Sequence, residues 1–207
     1  MFSPHRARIV GTRHMAAAGH YLAAQSAFQI LEAGGNAVDA GVAGAITLGV
    51  VQSEYVSFAG VAPLMIRMAD TGRTVTISGL GPWPKAADIE VFHRAHGGAI
   101  PPGILQTVVP AAPDALILAL KDYGTMSFGD VAAAAIRYAR EGFPAPKLMC
   151  DIIRDLEKDY RRWDENARIY LPGGRVPEPG DLFVQEDLGR VLQHMADVER
   201  AAAPRGR

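Results

Sequence analysis

Gly34-Gly35-Asn36-Ala37-Val38-Asp39-Ala40-Gly41-Val42-Ala43-Gly44-Ala45-Ile46-Thr47-Leu48-Gly49-Val50-Val51 is the stretch on which the fold turns. Gly34-Gly35 ends whatever helix precedes it, because glycine takes a positive φ at little steric cost. Asn36 offers an N-cap, and Asp39 stands three residues on, where a carboxylate can reach back in a capping box, with Asp in place of the usual Glu. A helix is therefore expected to run to about Val51. Its faces carry Ala37, Ala40, Gly41, Ala43, Gly44 and Ala45. Each glycine lowers helix propensity but lets a neighbouring backbone come close, so this helix should be buried against a sheet or another helix.

Upstream, after the short apolar stretch His14 to Ala18, residues Tyr21 to Ala33 place Ala24, Ala27, Phe28 and Leu31 at the spacing of an amphipathic helix. Downstream, Ala62 to Met68 and Thr74 to Leu80 read as two strands, joined by Ala69-Asp70-Thr71-Gly72-Arg73 in an antiparallel hairpin. A short helix near Ile89 to His96 leads into the loop Gly97 to Gly103. Further helices are expected over Ala112 to Tyr123, from Ser127 (cap, with Asp130 at N3) to Gly142, over Leu148 to Trp163 as a charged surface helix, and from Asp187 to about Ala201. Val131, Ala134, Ala135 and Tyr138 form the apolar face of the second of these, and Leu171 to Gly180 is an irregular loop. About six helices thus accompany two strands. A two-stranded sheet is marginal alone and leaves two edges open. Either helices cover the hairpin, or strands from another segment complete the sheet.

Composition narrows the function. The 207 residues are 49% hydrophobic, with 21 Lys+Arg against 22 Asp+Glu, a formal charge of -1. This argues for a packed domain and against a nucleic-acid surface, which needs a basic excess or stripe. The most apolar run, Ala40 to Val51, is too short to cross a bilayer, so no membrane partner is expected. Residues 1–13 lack the apolar core of a secretory signal, and with 202–207 they are expected to be flexible ends of a single partial domain, 1–207. Cys150 stands alone, which excludes an internal disulfide; a reducing cytoplasm fits best. No G-x-S-x-G elbow and no phosphate-binding G-K-[ST] occurs. His93 and His96 form the one close histidine pair, read as a solvated face, so no metal or organic cofactor is expected. An N-terminal Thr or Ser could act as nucleophile after chain cleavage, but Thr47, Thr107 and Thr125 show no sign of a processing site. A nucleophile of that class would lie elsewhere.

Several segments, in order, resemble one family. Gly34-Gly35-Asn36-Ala37-Val38-Asp39-Ala40 is similar to the G-G-N-A-V-D-A signature of γ-glutamyltransferases (γ-glutamyltranspeptidases), and His20 matches their histidine before the first helix. Lys121-Asp122-Tyr123-Gly124-Thr125 resembles their K-K-Y-G-T, Ala135-Ile136-Arg137 their A-I-R, and Glu141-Gly142-Phe143-Pro144 their E-G-F-P. Leu171-Pro172-Gly173-Gly174-Arg175, Pro179-Gly180-Asp181 and Gln185-Glu186-Asp187-Leu188 continue the likeness to about residue 198. The resemblance implies an α+β fold, the αββα sandwich of an N-terminal nucleophile hydrolase, of which this chain supplies only the helix-rich first part of the large subunit with its hairpin. It also implies a precursor that cuts itself, and a companion chain or precursor remainder carrying the nucleophilic Thr. No catalytic residue is then expected in this chain, which alone would be inactive.

Two departures bear on specificity. Where the family has D-G-R-E-T-A-P, its arginine holding the α-carboxylate of the γ-glutamyl group, this chain reads Ser78-Gly79-Leu80-Gly81-Pro82-Trp83-Pro84. Leucine cannot make that bidentate pair. The pattern P-H-S-S-G-I-G-G-G-G-F is replaced by Ser53-Glu54-Tyr55-Val56-Ser57-Phe58-Ala59-Gly60-Val61-Ala62-Pro63. Ser78, Gly79, Leu80 and Gly81 are the candidate substrate-binding residues, with Trp83 and Tyr55 as candidate walls and Arg67 or Arg73 as candidate substitutes for the arginine. The expected activity is that of a γ-glutamyltransferase-like amidohydrolase or acyltransferase acting on a small-molecule amide or γ-glutamyl-like substrate, with a range altered from that of γ-glutamyl compounds. The alternative is a non-catalytic scaffold or binding subunit of the same fold.

Overall fold

The computed structural model describes residues 9–202, so most of the expected flexible ends lie outside the described residues. Helix α1, Tyr21–Glu32, starts at His20, whose Nδ1 accepts from the Leu22 amide at 3.2 Å. It buries Leu22, Ala23, Ser26 and Ala27, and the expected face of Ala24, Phe28 and Leu31 is thereby corrected. Phe28 is 45% exposed, its ring 5.0 Å from that of His14. The cause is the neighbouring helix α2, Ala37–Val51. A Cβ on Gly44 would stand 3.5 Å from Ala27 Cβ, a spacing that admits Ala23 and Ala27 but no large ring.

Helix α2 is enclosed on nearly every side, with Val42, Ala43, Ile46, Thr47, Val50 and Val51 at 0% exposure. It packs on α1, on α4 (Ala112–Tyr123) and on α5 (Phe128–Glu141). The expected capping box is present, and Gly34 takes φ +93° as the helix stop requires. Asp39 does more than cap. Fully buried, it accepts from the Asn36 amide (2.8 Å), the Thr125 amide (2.9 Å) and hydroxyl (2.6 Å), and the Met126 amide (3.1 Å). Asn36 Nδ2 in turn donates to the Tyr123 carbonyl at 2.7 Å. The Asn36–Asp39 stretch and the Tyr123–Met126 turn are therefore one polar knot. Its bonds answer the requirement that buried polar groups be paired.

The hairpin forms as expected: β1, Leu64–Arg67, pairs antiparallel with β2, Thr74–Ile77, in the register Leu64↔Ile77, Met65↔Thr76, Ile66↔Val75, Arg67↔Thr74. Bonds from the Ala62 amide to the Gly79 carbonyl (3.0 Å) and from the Met68 amide to the Arg73 carbonyl (2.8 Å) extend it at both ends. Leu64, Ile66 and Ile77 lean on the core, with Val75 half-buried on the same face, while Met65, Arg67, Thr74 and Thr76 face outward. Among the described residues both edges of this sheet are unpaired. The following helix α3, Ile89–His96, has no buried residue and ends at Gly97 with φ +62°.

The single surface helix expected over Leu148 to Trp163 is corrected to two, α6 (Lys147–Asp155) and α7 (Glu157–Tyr160), and a further helix, α8 (Asp164–Tyr170), follows beyond it. Met149, Cys150 and Ile153 are wholly buried, so α6 is a core helix on one face. The break at Leu156 brings the Tyr160 ring within 4.7 Å of Tyr170, which lies 5.9 Å from Phe183. Aromatic packing thus overrides helical continuity. Two further short strands, β3 (Phe143–Pro144) and β4 (Leu182–Phe183), pair antiparallel, and α9, Glu186–Ala202, runs back along α5. No helix among the described residues is long and apolar enough to cross a membrane.

Candidate functional site

The segment Ser78–Gly81 leaves the hairpin at the end away from its turn, and its two glycines have structural reasons. Gly79 has φ +57°, and a Cβ there would collide with the Ala62 carbonyl. A Cβ on Gly81 would collide with the Val109 side chain. The Ala111 and Ala112 amides both donate to the Gly60 carbonyl at 3.0 Å. Three segments, 60–62, 79–81 and 109–112, are therefore stitched side by side, and only glycine fits between them. That close packing leaves Ser78 and Leu80 on the outside, Leu80 at 59% exposure. Trp83 and Tyr55 are exposed too. Two residues before Val109, Thr107 lines an open cavity of about 1060 Å³ shared with Ile104, Gln106, Arg162 and Trp163, a space on the scale of an organic substrate.

Neither substitute arginine reaches this segment. Arg67 pairs with Thr74, and Ser78 lies four strand residues further on, about 13 Å away. The Arg67 guanidinium turns toward the hairpin turn, with Nη2 3.8 Å from where a Cβ on Gly72 would stand. Arg73 lies in that same turn. Leu80 is thus apolar with no guanidinium brought beside it from either strand.

The rebuilt stretch Ser53–Pro63 holds a group that residue patterns did not reveal. Glu54 is half-buried, and one of its carboxylate oxygens, Oε2, is buried without a partner in the described structure. Burial pushes its carboxyl above the ordinary range. Burial, then the neighbouring Tyr170 and Glu54, pushes the Tyr160 hydroxyl up to about 12. Such a carboxyl is tolerated best when protonated. Cys150 is likewise an inert, buried thiol whose ionisation burial opposes, and His93 is exposed on α3. His20 caps α1, its Nε2 buried without a partner and its protonation disfavoured by burial.

The family model described as gamma-glutamyltranspeptidase matches residues 23–207. The chain is 33% identical over 199 residues to the glutathione hydrolase-like YwrD proenzyme of Bacillus subtilis (strain 168), covering 94% of this chain and 37% of that protein. It is 33% identical over 198 residues to the acylase ACY 1 proenzyme of Pseudomonas sp. (strain SE83), covering 90% of this chain and 35% of that protein. The crystal structure of Helicobacter pylori gamma-glutamyltranspeptidase superposes with a TM-score of 0.83 at 26% identity, covering 93% of this chain and 56% of that one. The chain therefore spans little more than a third of the length of these two curated relatives.

Proposed function

The chain belongs to the gamma-glutamyltranspeptidase family and has the helix-rich part of the αββα N-terminal nucleophile hydrolase fold; on that premise we propose that it is one component of a processed amidohydrolase or acyltransferase whose acyl group is not γ-glutamyl. In this reading a companion chain, or the remainder of a precursor, supplies an N-terminal Thr. The threonine hydroxyl attacks the amide carbonyl with the α-amine as base, the amine leaves, and water or another amine resolves the acyl-enzyme. This chain would then complete the sandwich and present Ser78–Gly81 to the acyl end of the substrate. The proenzyme names of the relatives support a cut precursor, and the acylase among them supports acyl groups beyond γ-glutamyl.

The observation that carries the reading is Leu80, exposed at the place where the resemblance puts a carboxylate-binding arginine, with Arg67 and Arg73 held at the far end of the hairpin. Loss of one charge-assisted contact, about 1.5 to 3 kcal/mol, weakens binding of an α-carboxylate roughly ten- to a hundredfold. The test compares a γ-glutamyl anilide with a neutral acyl anilide on the assembled protein. The neutral acyl group should give the higher kcat/KM, and Leu80→Arg should raise kcat/KM for the γ-glutamyl compound tenfold or more. A strong preference of the unaltered protein for the γ-glutamyl compound would refute the specificity. Failure to acylate any N-terminal Thr with an electrophilic amide analogue would favour the scaffold alternative.

A further inference from the structure

Helices α5 and α9 run antiparallel. At one end the Glu199 carboxylate accepts from the Phe128 and Gly129 amides at 2.8 and 2.9 Å, and at the other Gly189 lets the Arg140 stem pack against α9, where a Cβ would stand 2.6 Å from Arg140 Cγ. Between these clamps lies a cavity of about 570 Å³, with Ala133 and Ala196 in its lining, Arg137, Arg140 and Arg200 supplying positive charge and Glu141 one carboxylate. Arg137 is held with its guanidinium carbon 4.5 Å from the Tyr138 ring centroid. Yet neither Arg137 nor Arg140 has a carboxylate within 4.0 Å among the described residues, although Glu141 shares the lining one helical turn from Arg137. Arg154, Arg161, Arg162, Arg168, Arg175 and Arg190, on the same helical body, are each paired. Arg200 is only loosely engaged, 3.4 Å from Asp197, whose same oxygen also accepts from Gln193 at 3.0 Å.

Two like charges three residues apart on a helix repel, and Arg140 alone gains from the helix C-terminus. Arg137 and Arg140 are exposed and have no ion-pair partner among the described residues, and the α5 N-terminus is already neutralised by Glu199. We propose that the α5–α9 groove is a binding site for a multivalent oxyanion, seated between the Arg137 and Arg140 guanidinium groups, whose fork geometry suits phosphate or carboxylate oxygens. The cavity exceeds a single inorganic ion, so the ligand class is a small organic molecule carrying a phosphate or clustered carboxylates, its body lying along Ala133 and Ala196 toward Arg200.

The test is titration calorimetry on the intact protein with pyrophosphate, inorganic phosphate and citrate, at constant ionic strength, with acetate as the monovalent control. Saturable binding of at least one multivalent anion, weakened tenfold or more in Arg137→Gln and in Arg140→Gln at unchanged Tm, is the expected result. Phosphate-type and citrate arms tell phosphate from polycarboxylate chemistry. Arg94→Gln removes an exposed arginine on α3 and should leave binding intact. No saturable binding in any arm, equal binding of acetate, or equal weakening by Arg94→Gln would each overturn the proposal.

Discussion

Asp39 shows how far one residue can act beyond the role its spacing announces. Burial alone would raise its carboxyl, but the hydrogen bonds from Thr125, Asn36 and Met126 outweigh burial and hold it below the ordinary value. An acid whose folded pKa lies below its unfolded one stabilises the fold fully above the unfolded value, near ~3.9, and loses that contribution as pH falls through the folded value. Asp39→Asn, which offers one acceptor where two oxygens served four donors, is expected to cost roughly 2 to 4 kcal/mol at pH 7. The gap between variant and parent should narrow as pH drops below about 4, where the parent carboxyl takes up its proton. Urea unfolding at pH 7 and pH 3 measures this, and a pH-independent gap would contradict it. The cap was legible because Asn36 and Asp39 lie three residues apart. The partnership with Thr125 was not, because a pattern within one helix says nothing about a bond spanning 86 residues.

At the scale of elements, the same distinction decides which expectations held. Capped helices such as α2 and α5, the hairpin and its turn were readable from local chemistry. The phase of α1 was not, since its buried face is chosen by the narrow contact with Gly44, and the division of Leu148 to Trp163 was not, since the Tyr160–Tyr170–Phe183 rings select it. Of the candidate site, the identity of Leu80 was legible, whereas the reasons for Gly79 and Gly81 lay in Ala62 and Val109. Glu199 offers a test at this scale. It binds two first-turn amides of α5 from the last turns of α9, so Glu199→Ala should cost about 1 to 2 kcal/mol. Amide exchange should quicken at Phe128 and Gly129 and along the end of α9. Unchanged protection there would mean that Ser127 and Asp130 suffice as caps.

For the whole molecule, the decisive feature is a two-stranded sheet covered on one side. Met65, Leu80, Trp83, Ile104 and Val108 are all more than half exposed, and both sheet edges lack partners among the described residues. Residues 1–207 prepared without further sequence should therefore bind a hydrophobic dye and self-associate with rising concentration, whereas the same residues within a longer family-length protein should do neither. Light scattering across a concentration series distinguishes the cases; a monodisperse, dye-free short chain would show the outer face to be self-sufficient. The knot at Asp39 adds a consequence in time. A nascent chain must be extended by 86 residues after Asp39 before Thr125 exists, which at 5 to 20 residues per second is about 4 to 17 s. Until then α2 leaves the ribosome with the acid of its first turn satisfied only by the Asn36 amide, and the helical layer cannot lock however early its helices form.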